Sequence, residues 1–213
     1  LVGSEMCIRD RLWVMLCFCK TMMKKIELNH IPMLRCPKCG YLKKCCVPTA
    51  AEEKRRYDYH VVDETYRSYM ERVYQKIKPY LLEGISLDFG CGKAHTLCDI
   101  LAKDNRPCRY YDLYYYPEYP KELYSNIILI EVLEHIADIY ALLKNLRNEL
   151  CPKGRILIMT QSIPEDLAGW WYLRDITHIS FVNEKTMAML ASLLEFQLIV
   201  DKRSSLFILE RIN

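Results

Sequence analysis

The chain has 213 residues, with 30 Lys and Arg against 27 Asp and Glu and a formal net charge of +3. Its apolar fraction of 51% supports a hydrophobic core and excludes a largely disordered chain. The small net charge gives no argument for a nucleic-acid or membrane partner. Because no convincing secretion signal accompanies the 11 cysteines, we expect reduced thiols or a metal site in a cytoplasmic protein, not a disulfide framework.

The N-terminal part of the chain differs from the rest in composition. Residues 1–11 resemble the translation of an adapter used in DNA library preparation, and we expect them to be non-native. The apolar run 12–19 is too short for a bilayer, which needs about 20 residues, and no other candidate span is present. We therefore expect a cysteine-bearing segment with a linker at 12–62 and one α/β domain at 63–213.

The cysteine-bearing segment contains a motif typical of a zinc knuckle. Cys36 and Cys39 are separated by two residues, on a turn that ends at Gly40. Tetrahedral zinc needs two further ligands, which we assign to Cys17 and Cys19 although only one residue separates them. Other candidate ligands nearby are Cys45, Cys46 and His30. The alternative is a group of ordinary reduced thiols that holds no metal.

The rest of the chain alternates predicted helices and strands. Apolar residues recur every three or four positions after Asp63, which predicts a helix that is capped by Asp63 and ends near Gly84. Further strands are predicted at 85–89, 109–111, 127–130, 155–160, 196–201 and 206–211, with a turn at 152–154 and helices at 96–103, 141–150 and 183–194. This order predicts an open, Rossmann-like α/β sheet with a mostly parallel centre. Core thiols are expected at Cys91, Cys98, Cys108 and Cys151.

A glycine-rich loop follows the first predicted strand of this sheet. Gly90 and Gly92 allow backbone amides to approach a ligand at the carboxyl ends of the strands, where open α/β sheets bind ligands. Asp88 precedes this loop, and Asp112 ends the next strand, where it can accept ribose hydroxyls. Because His95 stands where a dinucleotide loop prefers glycine, and Asp88 would repel phosphate, the pattern favours an aminoacyl nucleoside.

These motifs resemble those of the class I S-adenosylmethionine-dependent methyltransferases, in particular the branch of quinone-biosynthesis methylases with an N-terminal cysteine knuckle. The segments that carry the resemblance are 87–92, 111–112, 130–135, 150–155 and 174–181. The resemblance implies that the 63–213 domain binds S-adenosyl-L-methionine and that the last strand of its sheet is antiparallel. Because few residues separate Asp112 from the next predicted strand, we expect the family's third strand to be reduced or absent.

The resemblance also implies roles for individual residues. It places Asp88, Gly90 and Gly92 around the methionine end of the donor, Asp112 on the ribose, and Glu131 and Val132 on the floor near the reacting sulfur. The contacts to adenine stay unassigned. Tyrosines 114–116 could stack on the adenine or form a cap over the edge of the sheet.

Two histidines are candidates for the catalytic site. His178 lies in a loop on the side where substrates usually bind, and it could accept a proton from a hydroxyl nucleophile near neutral pH. His135 is the second candidate. The alternatives are a hydrogen bond that braces the loop for His178 and a structural or substrate-wall role for His135.

The sequence therefore predicts a methyltransferase that acts on a small molecule or a biosynthetic intermediate, with zinc as a second cofactor if the knuckle is complete. One alternative is an RNA or protein methyltransferase that grips its substrate with the knuckle. Against it, the knuckle has no basic stripe interleaved with aromatic residues, so nucleic acid is not indicated. A second alternative is an inactive donor-binding regulatory module. The sequence gives no oligomeric state.

Overall fold

The structure, a computed structural model, describes residues 15–212. The adapter-like residues 1–11 lie outside this range. The helices are α1 (Ala50–Asp58), α2 (Glu64–Ile77), α3 (Thr96–Lys103), α4 (Ile139–Asn148) and α5 (Glu184–Leu193). The strands are β1 (Lys24–Leu28), β2 (Ile31–Arg35), β3 (Leu42–Lys44), β4 (Ser86–Phe89), β5 (Cys108–Tyr111), β6 (Tyr124–Ile130), β7 (Leu150–Met159), β8 (Ser180–Phe181), β9 (Phe196–Asp201) and β10 (Leu206–Arg211).

Six strands form a Rossmann-like sheet in the order β5-β4-β6-β7-β10-β9. The strands β5, β4, β6 and β7 are parallel, and β10 runs antiparallel to both β7 and β9. The predicted fold class is confirmed, including the antiparallel last strand. Between β5 and β6 the described chain forms only a turn, closed by hydrogen bonds between Asp112 and Tyr116, where the family's third strand was expected to be reduced or absent.

The helix α2 begins where the sequence predicts and ends earlier. The side chain of Asp63 accepts a hydrogen bond from the amide of Tyr66 and caps the helix. The apolar face of α2 is buried through Met70, Val73, Tyr74 and Ile77. The helix ends at Ile77 and not near Gly84, because Pro79 lacks an amide N–H and lies in the short 3₁₀ turn Lys78–Tyr80.

The predicted turn at 152–154 is an irregularity inside β7. Leu150 pairs with Tyr124, and Arg155 pairs with Asn126. Between these two pairs, β7 therefore contains more residues than β6. The extra residues bulge out of the ladder, and Lys153 takes a left-handed φ of 61°. The Pro-Lys-Gly segment was therefore correctly predicted to interrupt regular structure, but the strand begins before it, at Leu150, and not after it.

Two of the expected core thiols are oxidised. Cys98 on α3 and Cys108 at the start of β5 form a disulfide, with their Cα atoms 5.2 Å apart. The expectation of reduced thiols was wrong for this pair, because the packing of α3 on β5 brings the two side chains together. Cys91 is a buried free thiol as expected, and Cys151 is half-buried.

A second, antiparallel sheet joins the cysteine-bearing segment to the α/β region. Its order is β1-β2-β3-β8, so that β8, from the loop after β7, pairs with β3. The hydroxyls of Tyr41 and Ser180 lie 2.8 Å apart across this junction. The two parts of the chain therefore share a sheet. Within residues 15–212, no helix has the length and hydropathy that a membrane crossing requires.

Candidate active site

A cavity of about 450 Å³ lies at the carboxyl ends of β4, β5 and β6. The side chains of α1, of the linker that follows it and of α2 line its other wall. All six residues predicted to bind the donor line this one cavity, namely Asp88, Gly90, Gly92, Asp112, Glu131 and Val132. The volume falls within the range of small-molecule sites, roughly 300 to 1,000 Å³.

The two glycines of the loop after β4, Gly90 and Gly92, differ in what surrounds them. Gly90 has a φ of 80°, and a Cβ at this position would lie only 2.6 Å from Cγ2 of Val132. Gly92 has a φ of 71°, and a Cβ there would meet no atom within 4 Å. Gly90 therefore permits tight packing against Val132 in the loop that follows β6, whereas Gly92 leaves open space in the cavity.

Asp112 fastens the glycine loop to the turn after β5. Its Oδ2 accepts a hydrogen bond from the Gly92 amide at 3.0 Å. Its Oδ1 accepts from the amides of Tyr114 and Tyr115, at 2.9 and 3.1 Å. A carboxylate offers about four acceptor positions, so Oδ2 retains capacity for a further donor. The sequence did not predict this bracing role.

Asp88 is the most deeply buried charged group of the cavity wall. Burial raises its pKa to about 7, and the nearby charge of Asp112 raises it in the same direction. A cationic group placed beside the two carboxylates would favour the ionised form of Asp88. The part of the cavity around Asp88 is therefore electrostatically suited to a positively charged ligand.

The helix α1 covers the cavity through polar contacts. It has no buried residue of its own. The hydroxyl of Tyr114 donates to Glu53 at 2.6 Å, and that of Tyr115 donates to Asp58 at 2.7 Å. Lys93, beside the glycine loop, donates to the carbonyl of Asp58 at 2.6 Å. These contacts match the cap alternative for the tyrosine run, although Tyr114 and Tyr115 also line the cavity.

Two carboxyl groups, those of Glu131 and Glu134, converge beside the cavity, and Glu131 lines it. The Tyr172 hydroxyl donates to Glu131 at 2.9 Å and is also hydrogen-bonded to Glu134. Thr160 donates to Glu134 at 2.9 Å. Burial raises the pKa of Glu134 to about 8 and also raises the pKa of Glu131. Glu131 has a φ of 51°, a left-handed value that is uncommon for a side chain other than glycine.

The structure brings the two candidate histidines together. The rings of His135 and His178 are 4.8 Å apart and nearly perpendicular. His135 is part of the cavity wall, where it also contacts Tyr57, whereas His178 is buried next to Tyr172 and is not among the described residues of the wall. Burial lowers the pKa of both imidazoles, that of His135 to about 4.

Three residues in or beside the cavity were not predicted as site residues. Neither Glu134 nor Tyr172 was among the predicted site residues. Tyr57, which lines the cavity, was not among them either. The signal that could have found Glu134 is its position one turn after Glu131 and next to His135.

The four predicted metal ligands form a separate cluster, away from the cavity. The sulfur atoms of Cys17, Cys19, Cys36 and Cys39 all lie within 4.8 Å of one another and are buried. The Cys17–Cys39 and Cys19–Cys36 distances are 3.6 and 3.5 Å. Zinc–sulfur bonds in a tetrahedron imply sulfur separations of about 3.8 Å. These four thiols could therefore hold a metal ion.

The other candidate ligands are not part of this cluster. Cys45 is half-buried outside it, and His30 is exposed beside Glu27.

The amide of Cys39 donates to the Cys36 sulfur at 3.5 Å, and Thr186 on α5 donates to the Cys39 carbonyl at 2.9 Å. The contact with Thr186 thus anchors the knuckle on α5. A hydrogen bond from the Cys17 thiol lowers the pKa of Cys39 to about 5.

The family profile described as a methyltransferase domain matches residues 66–200. The chain belongs to this methyltransferase family. The matched region spans α2 to β9 and contains every predicted donor-binding residue. S-adenosylmethionine is the donor expected for such a methyltransferase.

Solved structures with this fold are also methyltransferases. The 1,6-didemethyltoxoflavin-N1-methyltransferase of Burkholderia thailandensis superposes with a TM-score of 0.56 at 11% identity, over 90% of this chain and 99% of that one. A SAM-dependent methyltransferase of Archaeoglobus fulgidus gives 0.55 at 11% identity, over 77% of this chain and all of that one. CalO1, a methyltransferase of calicheamicin biosynthesis, gives 0.53 at 14% identity, over 77% and 59%. Among curated proteins, no relative matches. At these identities the likeness shows the fold.

Proposed function

We propose that this methyltransferase transfers a methyl group from S-adenosylmethionine to a small-molecule acceptor. The observation that carries the proposal is the single cavity at the strand ends, which six donor-binding candidates line and which α1 covers. A covered cavity of this volume suits a small acceptor better than a folded macromolecule. The names of two structural neighbours, the toxoflavin N1-methyltransferase and CalO1, also refer to small-molecule pathways.

The donor is proposed to lie along the glycine loop. The open space at Gly92 leaves room for a ligand next to the backbone, and the Oδ2 atom of Asp112 retains capacity for a ribose hydroxyl. Asp88 is proposed to face the ammonium group of the methionine end, because the buried carboxyl gains most from a cationic partner. This arrangement directs the sulfonium towards Glu131 and Val132.

The acceptor is proposed to enter at the end of the cavity formed by Glu131 and His135. Methyl transfer needs in-line approach of a nucleophile to a methyl group that the sulfonium already activates, so positioning and exclusion of water are the main tasks of the protein. The cover formed by α1 serves the second task. If the acceptor is a hydroxyl, His135 and His178 are the candidates that would accept its proton; burial lowers the pKa of both imidazoles, which favours the neutral form that can accept a proton.

We also propose that the four-cysteine cluster holds a structural zinc ion. All four tetrahedral positions would be occupied by cysteine, which leaves no open position for a substrate. Membership in the quinone-biosynthesis branch and a cytoplasmic location stay predictions. The macromolecular alternative is disfavoured by the cover over the cavity and by the modest charge of the chain.

The proposal is tested by incubating the purified protein with methyl-labelled donor and a fractionated cell extract. We expect label in the small-metabolite fraction, and no label with the Asp112→Ala variant. Label in RNA or protein would overturn the small-molecule acceptor in favour of the macromolecular alternative. Donor binding without transfer to any fraction would support the inactive module.

A further inference from the structure

The helix α1 brings one carboxylate into the cavity. Glu53 is part of the cavity wall, together with Leu113 and Tyr114 of the turn after β5. Its two carboxylate oxygens accept hydrogen bonds from the hydroxyls of Tyr57 and Tyr114, at 3.0 and 2.6 Å. Each carboxylate oxygen can accept two hydrogen bonds, so both keep capacity for one further donor. None of the ion pairs within residues 15–212 involves Glu53.

A single tyrosine, Tyr114, spans the distance from Glu53 to the proposed ribose contact. The Tyr114 amide donates to Oδ1 of Asp112 at 2.9 Å, and the hydroxyl of the same residue donates to Glu53 at 2.6 Å. The two carboxylates therefore lie one tyrosine length apart. In an adenosine, the ribose hydroxyls and the amine of the base are separated by a comparable length. An adenosine whose ribose meets Asp112, as the proposed function has it, can therefore reach Glu53 with its base.

The surroundings of Glu53 suit a flat aromatic base. The rings of Tyr57 and Tyr114 have centroids 5.7 Å apart and are inclined at 60°, and the His60 ring lies 6.2 Å from that of Tyr57. Leu113 adds apolar surface to the same part of the wall. Aromatic rings pack favourably on one another in stacked and edge-on arrangements. The wall thus combines aromatic faces with one carboxylate that has acceptor capacity to spare.

Two neighbouring polar side chains are already engaged in holding α1. Lys93 donates to the backbone carbonyls of Asp58 and His60, at 2.6 and 3.1 Å. The hydroxyl of Tyr115 donates to the Asp58 carboxylate at 2.7 Å. Glu53 therefore differs from both, because its contacts leave acceptor positions unused.

We propose that Glu53 accepts a hydrogen bond from the exocyclic amine of the donor's adenine and selects for this base. The amine carries two N–H donors, and a carboxylate supplies only acceptors. A base with a carbonyl in place of the amine would set acceptor against acceptor, which a binding site rejects strongly. Glu53 lies outside residues 66–200, the region that the family profile matches, and no strand lies between β5 and β6 in the described chain. The helix that covers the cavity thus supplies the contact to the base.

The test compares S-adenosylhomocysteine with S-inosylhomocysteine, in which a carbonyl replaces the amine of the base. Calorimetric titration of the unmodified full chain should show tighter binding of the adenosine compound by about tenfold or more. Glu53→Gln should bind the two compounds within about threefold of each other, because an amide side chain can donate to the carbonyl as well as accept from the amine.

Asp58→Asn is the matched control. Asp58 also lies on α1 and accepts a tyrosine hydroxyl, but it is not among the described residues of the cavity wall. Loosening of α1 weakens the binding of both compounds alike, so this variant should keep the preference of the unmodified chain for adenosine.

The outcomes separate this contact from the donor site itself. Equal affinity of the two compounds for the unmodified chain, or an unchanged preference in Glu53→Gln, would overturn the adenine contact and leave the donor site in place. Loss of the preference in Asp58→Asn as well would assign it to the cover as a whole and overturn the role of Glu53. Absence of binding for both compounds would contradict the proposed donor site, and the adenine contact with it.

Discussion

The cysteine cluster and the cavity differ in how fully their polar groups are satisfied. The four thiols of the cluster are buried, face one another and are anchored on α5 by Thr186. The cavity wall instead holds groups with unused capacity, such as Asp88 with its raised pKa and the carboxyl pair around Tyr172. A closed set of ligands serves stability, whereas an open set serves binding and chemistry. The following predictions test this division.

The largest effect is expected when one ligand of the cysteine cluster is removed. A Cys36→Ser variant should lose its zinc and unfold at a temperature at least 10 °C lower, since structural zinc supplies about 10 kcal/mol to small zinc domains and typical domains are stable by only about 5 to 15. Metal analysis and thermal unfolding by circular dichroism measure this. The control is Cys45→Ser, outside the cluster. Equal zinc content and unfolding temperature in both variants would show that the cluster is not a metal site.

A smaller but still substantial effect is expected in the glycine loop. Gly90→Ala introduces a Cβ into Val132 and a left-handed alanine, so it should reduce the free energy of unfolding by about 2 to 3 kcal/mol and abolish donor binding. Gly92→Ala meets open space and should cost only about 1 kcal/mol, from its left-handed φ. Urea unfolding of both variants gives the comparison. A larger loss for Gly92→Ala would contradict the packing explanation.

Donor affinity should depend on Asp112. Replacement by alanine removes the proposed ribose contact and the bracing of the loop, so we expect at least tenfold weaker binding of S-adenosylhomocysteine, about 1.4 kcal/mol. Calorimetric titration measures this. Asp99→Ala removes a solvent-exposed carboxylate on α3 and should leave the affinity unchanged. Unchanged affinity for Asp112→Ala would place the ribose elsewhere.

The pH dependence of donor binding tests Asp88. Its pKa of about 7 in the free protein is raised above the ordinary value, so the proton must leave before the carboxylate can face a cation. Donor affinity should therefore rise with pH, up to tenfold per unit, and level off above about 7. For the same reason, this group makes the folded state less stable as pH rises from about 4 to 7. Asp88→Asn should flatten the affinity profile, and an unaltered slope would assign the dependence to another group.

The smallest effect is expected at the outer edge of the cover. Arg56 on α1 pairs with Asp175 at 2.8 Å, and its side chain is 40% exposed. Arg56→Ala should change the free energy of unfolding by less than about 1 kcal/mol, as is usual for exposed pairs. A loss above 2 kcal/mol in urea unfolding would mean that α1 is held more firmly than its polar contacts suggest.

The sequence predicted the features that depend on short motifs and periodicity. The sheet, the cap at Asp63 and the last two strands follow local patterns, and the structure confirms them. It also places the six donor-binding candidates around one cavity.

The features that depend on distant contacts were not predictable in this way. The docking of α1 over the cavity could not be derived from local patterns, because α1 has no buried face and its contacts come from tyrosines more than 50 residues away in sequence. The Glu134–His178 proximity and the Cys98–Cys108 bond arise from the packing of separate elements. Neither leaves a periodic signal in the chain.

The most direct test of the account is an experimental structure with bound S-adenosylhomocysteine. We predict that its ribose hydroxyls lie within hydrogen-bond distance of the Asp112 carboxylate, and that its sulfur faces the end of the cavity with Glu131 and His135. A nucleoside bound outside this cavity, or one that leaves Asp112 without contact, would contradict the assignment of the donor site.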